Sequence, residues 1–172
     1  LDTITIHNIL SMSSGYVDQF IPSNPFTFFF DPSQWWALNS TETLLSMNHS
    51  EPGSFYYNNS ACHLNSHALY YGSGLTPSDF ADTYLFPYLG INNPNWESGY
   101  LDINDGSAML SLTLREMVKL GQLYLQNGYS GDNQILSSDW ISRATTSQVN
   151  TGDNEEYGSL NYYGYLWWLP NE

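Results

Sequence analysis

Residues 113–128 carry the clearest secondary-structure signal in this chain. Thr113 and Glu116 have the spacing of a capping box, in which each side chain accepts a hydrogen bond from the other residue's backbone N–H. Gly128 follows the last apolar position and marks a helix end. Between these residues one apolar stripe recurs at helical spacing, formed by Leu114, Met117, Val118, Gly121, Tyr124 and Leu125. The sequence therefore predicts an amphipathic helix here.

Two further helices have well-defined starts. Thr76 is a favourable N-cap followed by Pro77 at the first helical position, and Pro87 is expected to end that helix. Asn59 or Ser60, each a good N-cap, begins another helix that is expected to end at Gly72. Shorter helices are predicted from the cap Thr5 towards Gly15, over residues 34–46, and from Ser137 or Ser138.

The connections between these helices are long and irregular. Residues 16–34 are rich in Pro and Phe, and residues 90–110 are rich in Gly, Asn and Asp, which favours ordered loops over regular elements. The terminal run "YYGYLWWL" has the composition of a strand, and an isolated strand needs partners. The predicted fold is mainly α with long loops and one or a few short strands. It does not form a complete architecture, so residues 1–172 are expected to be one segment of a larger domain.

The charge excludes one class of partner. Three basic residues against 17 acidic ones give a formal charge of −14, which repels a phosphate backbone, so nucleic-acid binding is not expected.

No apolar run approaches the roughly 20 residues of a membrane-spanning helix. Cys62 is the only cysteine, and its neighbours place it on a helix as a structural residue.

Five stretches, read in order, resemble one known family: "ITIHNILSMSSGY", "PGSFYYNNS", "YLFPYLGI", "GSAMLSLTLREMVKLGQLYLQNGYSGDNQILSSDWI" and "YGYLWWL". Together they are similar to the serine β-lactamase and penicillin-binding-protein-like family, and in particular to class C β-lactamases, family VIII esterases, D-alanyl-D-alanine carboxypeptidases and hydrolases of nylon oligomers. The resemblance covers nearly the whole chain. It implies that residues 1–172 form most of the helical domain of that α+β fold and one strand of its sheet domain.

The resemblance also implies a site. The family has an SxxK motif with the nucleophilic Ser, a YxN motif, and a KTG or HxG motif, and here "YNN" at residues 57–59 takes the place of the second. It makes Tyr57 the proton-handling residue and Asn59 a ligand for the carbonyl or amide of the substrate. Loops 16–34 and 90–110 are then the rims of the pocket. The residues expected to bind substrate are Asn58, Tyr16, Trp96 and Gly106.

The chemistry of these residue types agrees with those roles. The phenol of a tyrosine has a pKa near 10, so its phenolate is useful only beside a cation, which the lysine of an SxxK motif would supply. Such a pair can take the proton of a serine and pass it to a leaving group. An asparagine amide offers a donor and an acceptor and adds no charge.

Two of the three motifs are absent from this sequence. The only lysine, Lys119, follows Glu116 at SxxK spacing, and there is no KTG or HxG. In the family the first motif lies upstream of this region and the third lies downstream. The isolated chain is therefore predicted to be inactive, whereas the complete protein would hydrolyse a lactam, ester or amide.

The resemblance implies that no metal and no organic cofactor take part. It also implies that the substrate is a small acyl compound. It favours export to a bacterial periplasm or to the exterior. The chain itself is expected either to self-associate or to need a complementary polypeptide.

Other interpretations of the same residues stay open. Tyr57 and Asn59 also fit a plain turn and N-cap. His63 and His67 have the i, i+4 spacing of a zinc site, although they lack the Glu of an HExxH motif. The six tryptophans and 14 tyrosines could instead belong to a non-catalytic sugar-binding module, and the chain could be a pseudoenzyme segment.

Overall fold

The structure is a computed structural model that describes residues 4–16, 51–92, 94–99, 102–152 and 158–171. These ranges contain six helices: α1 (Ile6–Leu10), α2 (Asn59–Ser73), α3 (Pro77–Tyr84), α4 (Phe86–Leu89), α5 (Leu114–Leu125) and α6 (Ser138–Ala144). They also contain seven two-residue strands: β1 (Asn95–Trp96), β2 (Leu110–Ser111), β3 (Tyr129–Ser130), β4 (Asn133–Gln134), β5 (Val149–Asn150), β6 (Tyr162–Tyr163) and β7 (Trp168–Leu169). Helices thus provide most of the regular structure in these ranges. The predicted helix over residues 34–46, and nearly all of the predicted loop 16–34, lie outside them.

Four of the predicted helix starts are confirmed by their caps. Thr113 and Glu116 form the capping box of α5, and Thr76 caps α3 with Pro77 in its first turn. Ser137 caps α6 by accepting a hydrogen bond from the N–H of Trp140 at 3.1 Å. Thr5 caps α1, but this helix ends at Leu10 and does not extend towards Gly15. It stops because Met12 adopts a φ of 55°, which a right-handed helix cannot contain.

The start of α2 differs from the prediction. Asn58 is the N-cap, because its side-chain oxygen accepts a hydrogen bond from the N–H of Ala61 at 2.8 Å. Asn59 and Ser60, the predicted caps, are instead the first two helical residues. The far end also shifts slightly, since Gly74 rather than Gly72 adopts the left-handed conformation that ends the helix.

Pro87 does not stop the helix that precedes it. The break between α3 and α4 lies at Leu85, two residues earlier, where the backbone leaves helical geometry. Pro87 then occupies the first turn of α4, a position at which the missing N–H of proline has no helical acceptor to lose. Gly90, with a φ of 58°, ends α4.

The terminal aromatic run forms two strands and not one. Strands β6 and β7 pair antiparallel, and β5 pairs with the other edge of β6, which gives a three-stranded sheet in the order β5-β6-β7. The chain reverses between Gly164 and Trp167, where Leu166 takes a φ of 60°. Two further hairpins, β1-β2 and β3-β4, flank α5 in sequence, and the first of these lies within the predicted loop 90–110.

Two apolar clusters hold the described part together. One joins α1 to α2 through Ile9, Tyr16, Ala61 and Leu64. The other packs α3, α4, the β1-β2 hairpin and α5 around Ala81, Phe86, Leu89, Ile91 and Leu123. None of the helices in the described ranges is long and apolar enough to cross a membrane.

The predicted stripe of α5 is largely exposed. Leu114, Met117, Val118 and Leu125 are 78%, 57%, 61% and 86% exposed. The second cluster instead contains Leu123 and is contacted by Leu120, and both of these residues lie outside the stripe. An amphipathic helix normally buries its apolar stripe, so within the described ranges this face of α5 lacks the cover that its sequence calls for.

Gly128 allows a test of the turn that follows α5. A Cβ on Gly128, at a φ of 88°, would collide with the carbonyl of Leu136, whereas a Cβ on Gly131, at a φ of 59°, meets nothing within 4 Å. Gly131→Ala should cost about 1 kcal/mol of unfolding free energy, because the left-handed conformation alone is strained. Gly128→Ala should cost at least about 1 kcal/mol more, because the hairpin must also shift. Urea denaturation of the two variants checks this, and equal losses would show that the turn adjusts freely.

Candidate functional site

Tyr57 lies on an extended segment that runs beside the chain leaving α1. The N–H of Gly53 donates to the carbonyl of Ser13 at 2.9 Å, and the N–H of Tyr56 donates to the carbonyl of Met12 at 2.8 Å. Tyr57 follows directly and is 40% exposed, similar to its neighbour Tyr56 at 41%. The segment therefore delivers Tyr57 to the surface at the start of α2.

Asn58 fixes that start. Its side chain is buried, with its oxygen capping α2 and its amide nitrogen donating to the carbonyl of Tyr16 at 3.2 Å. Tyr16 is also buried and belongs to the apolar cluster between α1 and α2. Asn59 is half-buried as the first residue of the helix. The structure thus brings together Tyr57, Asn58, Asn59 and Tyr16, four of the six residues predicted for the site.

An aromatic cluster surrounds the ring of Tyr57. Trp168 of β7 stacks on Tyr57 with centroids 5.6 Å apart and an interplanar angle of 29°. The same indole contacts Phe55 at 5.5 Å and Tyr163 at 5.0 Å, both edge to face. Burial raises the pKa of Tyr163, and negative charge on Cys62 or Tyr57 would raise it further, so Tyr163 stays a neutral phenol. Tyr57 is therefore the exposed member of a packed aromatic wall.

A buried histidine pair lies along α2. His63 and His67 place their Nε2 atoms 3.2 Å apart, and the N–H of Gly106 donates to Nδ1 of His63 at 3.1 Å. Since Nδ1 accepts, the proton of neutral His63 sits on Nε2 and is donated to His67. Burial lowers the pKa of His63, although Asp105, 3.8 Å from Nδ1, partly opposes this shift. His63 is therefore held neutral.

This tautomer argues against a zinc site at the pair. A metal held by both Nε2 atoms would need the proton of His63 on Nδ1, where the N–H of Gly106 already points. In the described ranges no three side chains of His, Cys, Asp or Glu are grouped so as to hold a metal ion. Both histidines are buried core residues, and His63 fastens the loop around Gly106 to α2.

The turn at residues 105–107 packs closely on α2. A Cβ at Gly106 would lie 2.5 Å from Oγ of Ser66 and 2.9 Å from the carbonyl oxygen of Cys62. The thiol of Cys62 donates to the carbonyl of Gly106 at 3.3 Å. Burial, with a smaller contribution from Asp105, raises the pKa of Cys62 to about 11, so this thiol is a poor nucleophile. Gly106 thus lies beside the first two turns of α2, where it contacts Cys62, His63 and Ser66.

Trp96 borders an apolar cavity that does not include Tyr57. Its indole N–H donates to the carbonyl of Asp105 at 2.7 Å. The residue also helps to line an apolar cavity of about 530 Å³ with Leu69, Pro77, Phe80, Ala81, Tyr84, Leu85, Phe86, Leu110, Leu120, Ile135 and Leu136. Among the described residues, no charged side chain lines this cavity. Tyr57 and Asn59 are not part of it.

Sequence reasoning missed the residues that support Tyr57. Phe55, Tyr163 and Trp168 contact the Tyr57 ring or one another, yet Phe55 and Trp168 are separated by more than 100 positions in the chain. The aromatic composition of "YYGYLWWL" was the available signal, and it indicated a strand without indicating its neighbour. A reactive Tyr57 also needs a cation. The three basic residues lie on α5 (Arg115, Lys119) and α6 (Arg143), and not on the segment that carries Tyr57.

No protein-family model matches the sequence, and no curated protein matches it either. Solved structures resemble it along nearly its whole length. A protein from Bacteroides dorei DSM 17855, provisionally named a β-lactamase, aligns with 96% of this chain and 52% of its own at a TM-score of 0.72 and 19% identity. The penicillin-binding protein from Bacillus halodurans aligns with 100% of this chain and 60% of its own at a TM-score of 0.68 and 20% identity.

The octameric penicillin-binding protein homologue from Pyrococcus abyssi aligns with 94% of this chain and 42% of its own, at a TM-score of 0.64 and 18% identity. The chain therefore has a β-lactamase and penicillin-binding-protein-like fold. It spans about half the length of the structures it resembles. The identities establish the fold alone.

The neutral state of His63 predicts how stability depends on pH. The unfolded chain binds a proton on this residue near pH 6.5, whereas the folded chain resists it, so the unfolding free energy should fall as pH drops below about 6.5. The slope from this one group is at most about 1.4 kcal/mol per pH unit. Urea denaturation between pH 8 and pH 5 should show a flatter profile for His63→Gln than for the wild type. Ser73→Ala, at the exposed end of α2, should keep the wild-type slope, and an unchanged slope in His63→Gln would contradict the assignment.

Proposed function

We propose that the chain is the central part of a serine acyl hydrolase, which cleaves a lactam, ester or amide through an acyl-enzyme. The observation that carries this proposal is the position of "YNN" at the start of a buried helix, in a chain whose fold matches about half of β-lactamase-like and penicillin-binding structures. The nucleophilic serine and its lysine belong, in this proposal, to polypeptide outside residues 1–172.

Tyr57 is the proton carrier in this scheme. It is exposed, whereas Asn58 beside it is buried, so Tyr57 is the member of the pair that substrate can reach. The stack on Trp168 restrains its ring without adding a charge. A phenolate at neutral pH needs a nearby cation, and Lys119 is already bound to the carbonyl of Gly90 at 2.6 Å. In this proposal the activating cation comes from the additional polypeptide.

The reaction balances with these groups. The serine hydroxyl gives its proton to the phenolate of Tyr57 while its oxygen bonds to the carbonyl carbon. The tetrahedral intermediate collapses as Tyr57 passes that proton to the departing nitrogen or oxygen. Water then releases the acyl group from the serine, and its remaining proton restores the serine hydroxyl. Asn59, in the first turn of α2, donates a hydrogen bond from its side-chain amide to the acyl part of the substrate.

The four residues predicted to bind substrate take supporting roles in this proposal. Asn58 and Tyr16 hold the start of α2, and Gly106 holds the loop that packs on its first two turns. Trp96 borders the apolar cavity behind that loop. We assign them to positioning. The choice among lactam, ester and amide is left to the parts of the pocket outside this chain.

The rival function, a non-catalytic sugar-binding module, gains no support from Trp140, Trp167 and Trp168, three of the tryptophans that the structure describes. Such a module needs a row of exposed aromatic rings, whereas Trp168 packs between Phe55, Tyr57 and Tyr163. Trp140 packs on Tyr165 with centroids 5.4 Å apart, and Trp167 packs on Tyr124 at 4.8 Å. These rings serve the packing of the sheet against the helices.

The proposal predicts a difference between two forms of the protein. Residues 1–172 alone should keep an intact mass of about 19.5 kDa after incubation with a fluorophosphonate, because they lack the activated serine. The full translation product of the reading frame that encodes them should form a stable adduct on a serine outside these residues. An adduct on a serine within residues 1–172 would overturn the proposal.

The role of Tyr57 has a matched control in Tyr56. In the full translation product, Tyr57→Phe should slow acylation by roughly 10²- to 10⁴-fold, the usual contribution of a general acid–base group. Tyr56→Phe removes a hydroxyl from the adjacent and equally exposed ring and should leave the rate within about twofold. Acylation rates are measured by stopped-flow with a chromogenic ester. Equal effects of the two substitutions would remove Tyr57 from the mechanism.

A further inference from the structure

The strongest unexplained feature of the described chain is the exposed apolar face of α5, formed by Leu114, Met117, Val118, Gly121 and Leu125. At 100° per residue these positions fall on one side of the helix. Four of them expose between 57% and 86% of their surface. Exposed contiguous apolar surface of this kind is typical of a site that another polypeptide covers.

The face continues beyond the helix. Tyr124 lies at its edge and contacts Trp167, with ring centroids 4.8 Å apart. Trp167 and its neighbour Leu166 are 40% and 39% exposed. The apolar surface therefore runs from α5 to the turn between β6 and β7, and it joins the helical part of the chain to the edge of the three-stranded sheet.

Gly121 supplies an independent observation. Glycine inside a helix is unfavourable relative to alanine, so its presence needs a reason. Apart from the backbone of its own helix, no described residue comes within 4 Å of a Cβ built on Gly121, so nothing in this part of the chain requires the missing side chain. Met117, Val118 and Leu125 lie one turn to either side of it, which makes Gly121 the floor of a notch with apolar walls. Such a notch suits the close approach of another segment.

We propose that this face of α5 is the docking surface for the remaining polypeptide of the β-lactamase-like fold, which crosses α5 at Gly121 and fills the notch with an apolar side chain. The proposal rests on the proposed function, in which this chain is one part of a larger domain. This chain covers between 42% and 60% of each solved structure that it resembles, so the uncovered part of such a fold is long enough to pack on this face.

Charge favours that occupant over a second copy of this chain. The formal charge of the chain is −14, so two copies repel each other. Arg115 and Lys119 also lie on α5, but at 100° per residue they fall outside this face, which carries no charged side chain of its own. A segment with an apolar ridge would match it.

Methionine oxidation tests the docking directly. Met117 on the face is 57% exposed, Met109 off the face is 37% exposed, and Met12 is 1% exposed and reports unfolding. Peptide mass spectrometry after hydrogen peroxide treatment is applied to residues 1–172 alone and to the full translation product of their reading frame. Met117 should oxidise faster than Met109 and Met12 in the first and at least about tenfold more slowly in the second, because a docked segment excludes the oxidant. An equal rate in both, or a reading frame that encodes nothing more, would overturn the proposal.

Two glycine variants give a second, independent readout. Gly72 of α2 is also a helical glycine at which an added methyl group would meet no neighbour within 4 Å, so Gly72→Ala is the matched control for Gly121→Ala. Both substitutions should raise the Tm of residues 1–172 alone, because alanine favours the helix. In the full product Gly72→Ala should still raise the Tm, whereas Gly121→Ala should lower it. A rise for Gly121→Ala in both forms would show that the notch stays empty.

The remaining outcomes separate this proposal from the proposed function. A full product that is acylated by the fluorophosphonate but leaves Met117 reactive refutes the docking surface alone. A full product that protects Met117 but forms no adduct supports the docking surface and refutes the hydrolase. If sedimentation shows residues 1–172 alone to be a dimer in which Met117 is protected, the occupant is a second copy and the proposal is wrong.

Discussion

The buried amide of Asn58 ties together the two segments that form the candidate site. Its oxygen caps α2 through Ala61, and its nitrogen binds the carbonyl of Tyr16 in the chain that leaves α1. Loss of this side chain would remove the cap from the buried N–H of Ala61 and one hydrogen bond from the carbonyl of Tyr16, and an unsatisfied buried group typically costs about 1–3 kcal/mol. The position of Tyr57, one residue earlier, depends on the same two hydrogen bonds.

The site that results has one complete wall. Trp168, Phe55 and Tyr163 support the ring of Tyr57, and α2 is held from behind by the loop around Gly106 and by the neutral His63. The three basic residues lie on α5 and α6, and not on the elements that form this wall. Helix α5 is likewise packed on one side only, because its apolar face is exposed. Both features fit a chain that spans about half of the structures it resembles.

The parts of this fold that could be predicted from sequence are those set by local interactions. The capping box of Thr113 and Glu116, the cap Thr76 and the cap Ser137 each act within four residues, and each was found where its pattern placed it. The cap of α2 was misplaced because Asn58, Asn59 and Ser60 are all good caps. Only a distant contact, with the carbonyl of Tyr16, decides among them.

Long-range features were beyond the reach of the pattern. Periodicity located the apolar stripe of α5, but it carries no information about what covers that stripe, and here Leu120 and Leu123 make the core contacts instead. The contact between Trp168 and Tyr57 joins the end of the chain to its first third, and no local signal specifies it. The motif "YNN" predicts a site at the start of α2, whereas the aromatic residues that contact Tyr57 could be identified only from the fold.

The most direct test is the distance between the hydroxyl of Tyr57 and the nearest serine hydroxyl in a crystal structure of the full translation product. The account predicts a serine from outside residues 1–172 within hydrogen-bond reach of Tyr57, about 3 Å, with a lysine ammonium beside both. A structure in which Tyr57 faces only solvent, or in which no serine and lysine reach it, would contradict the account.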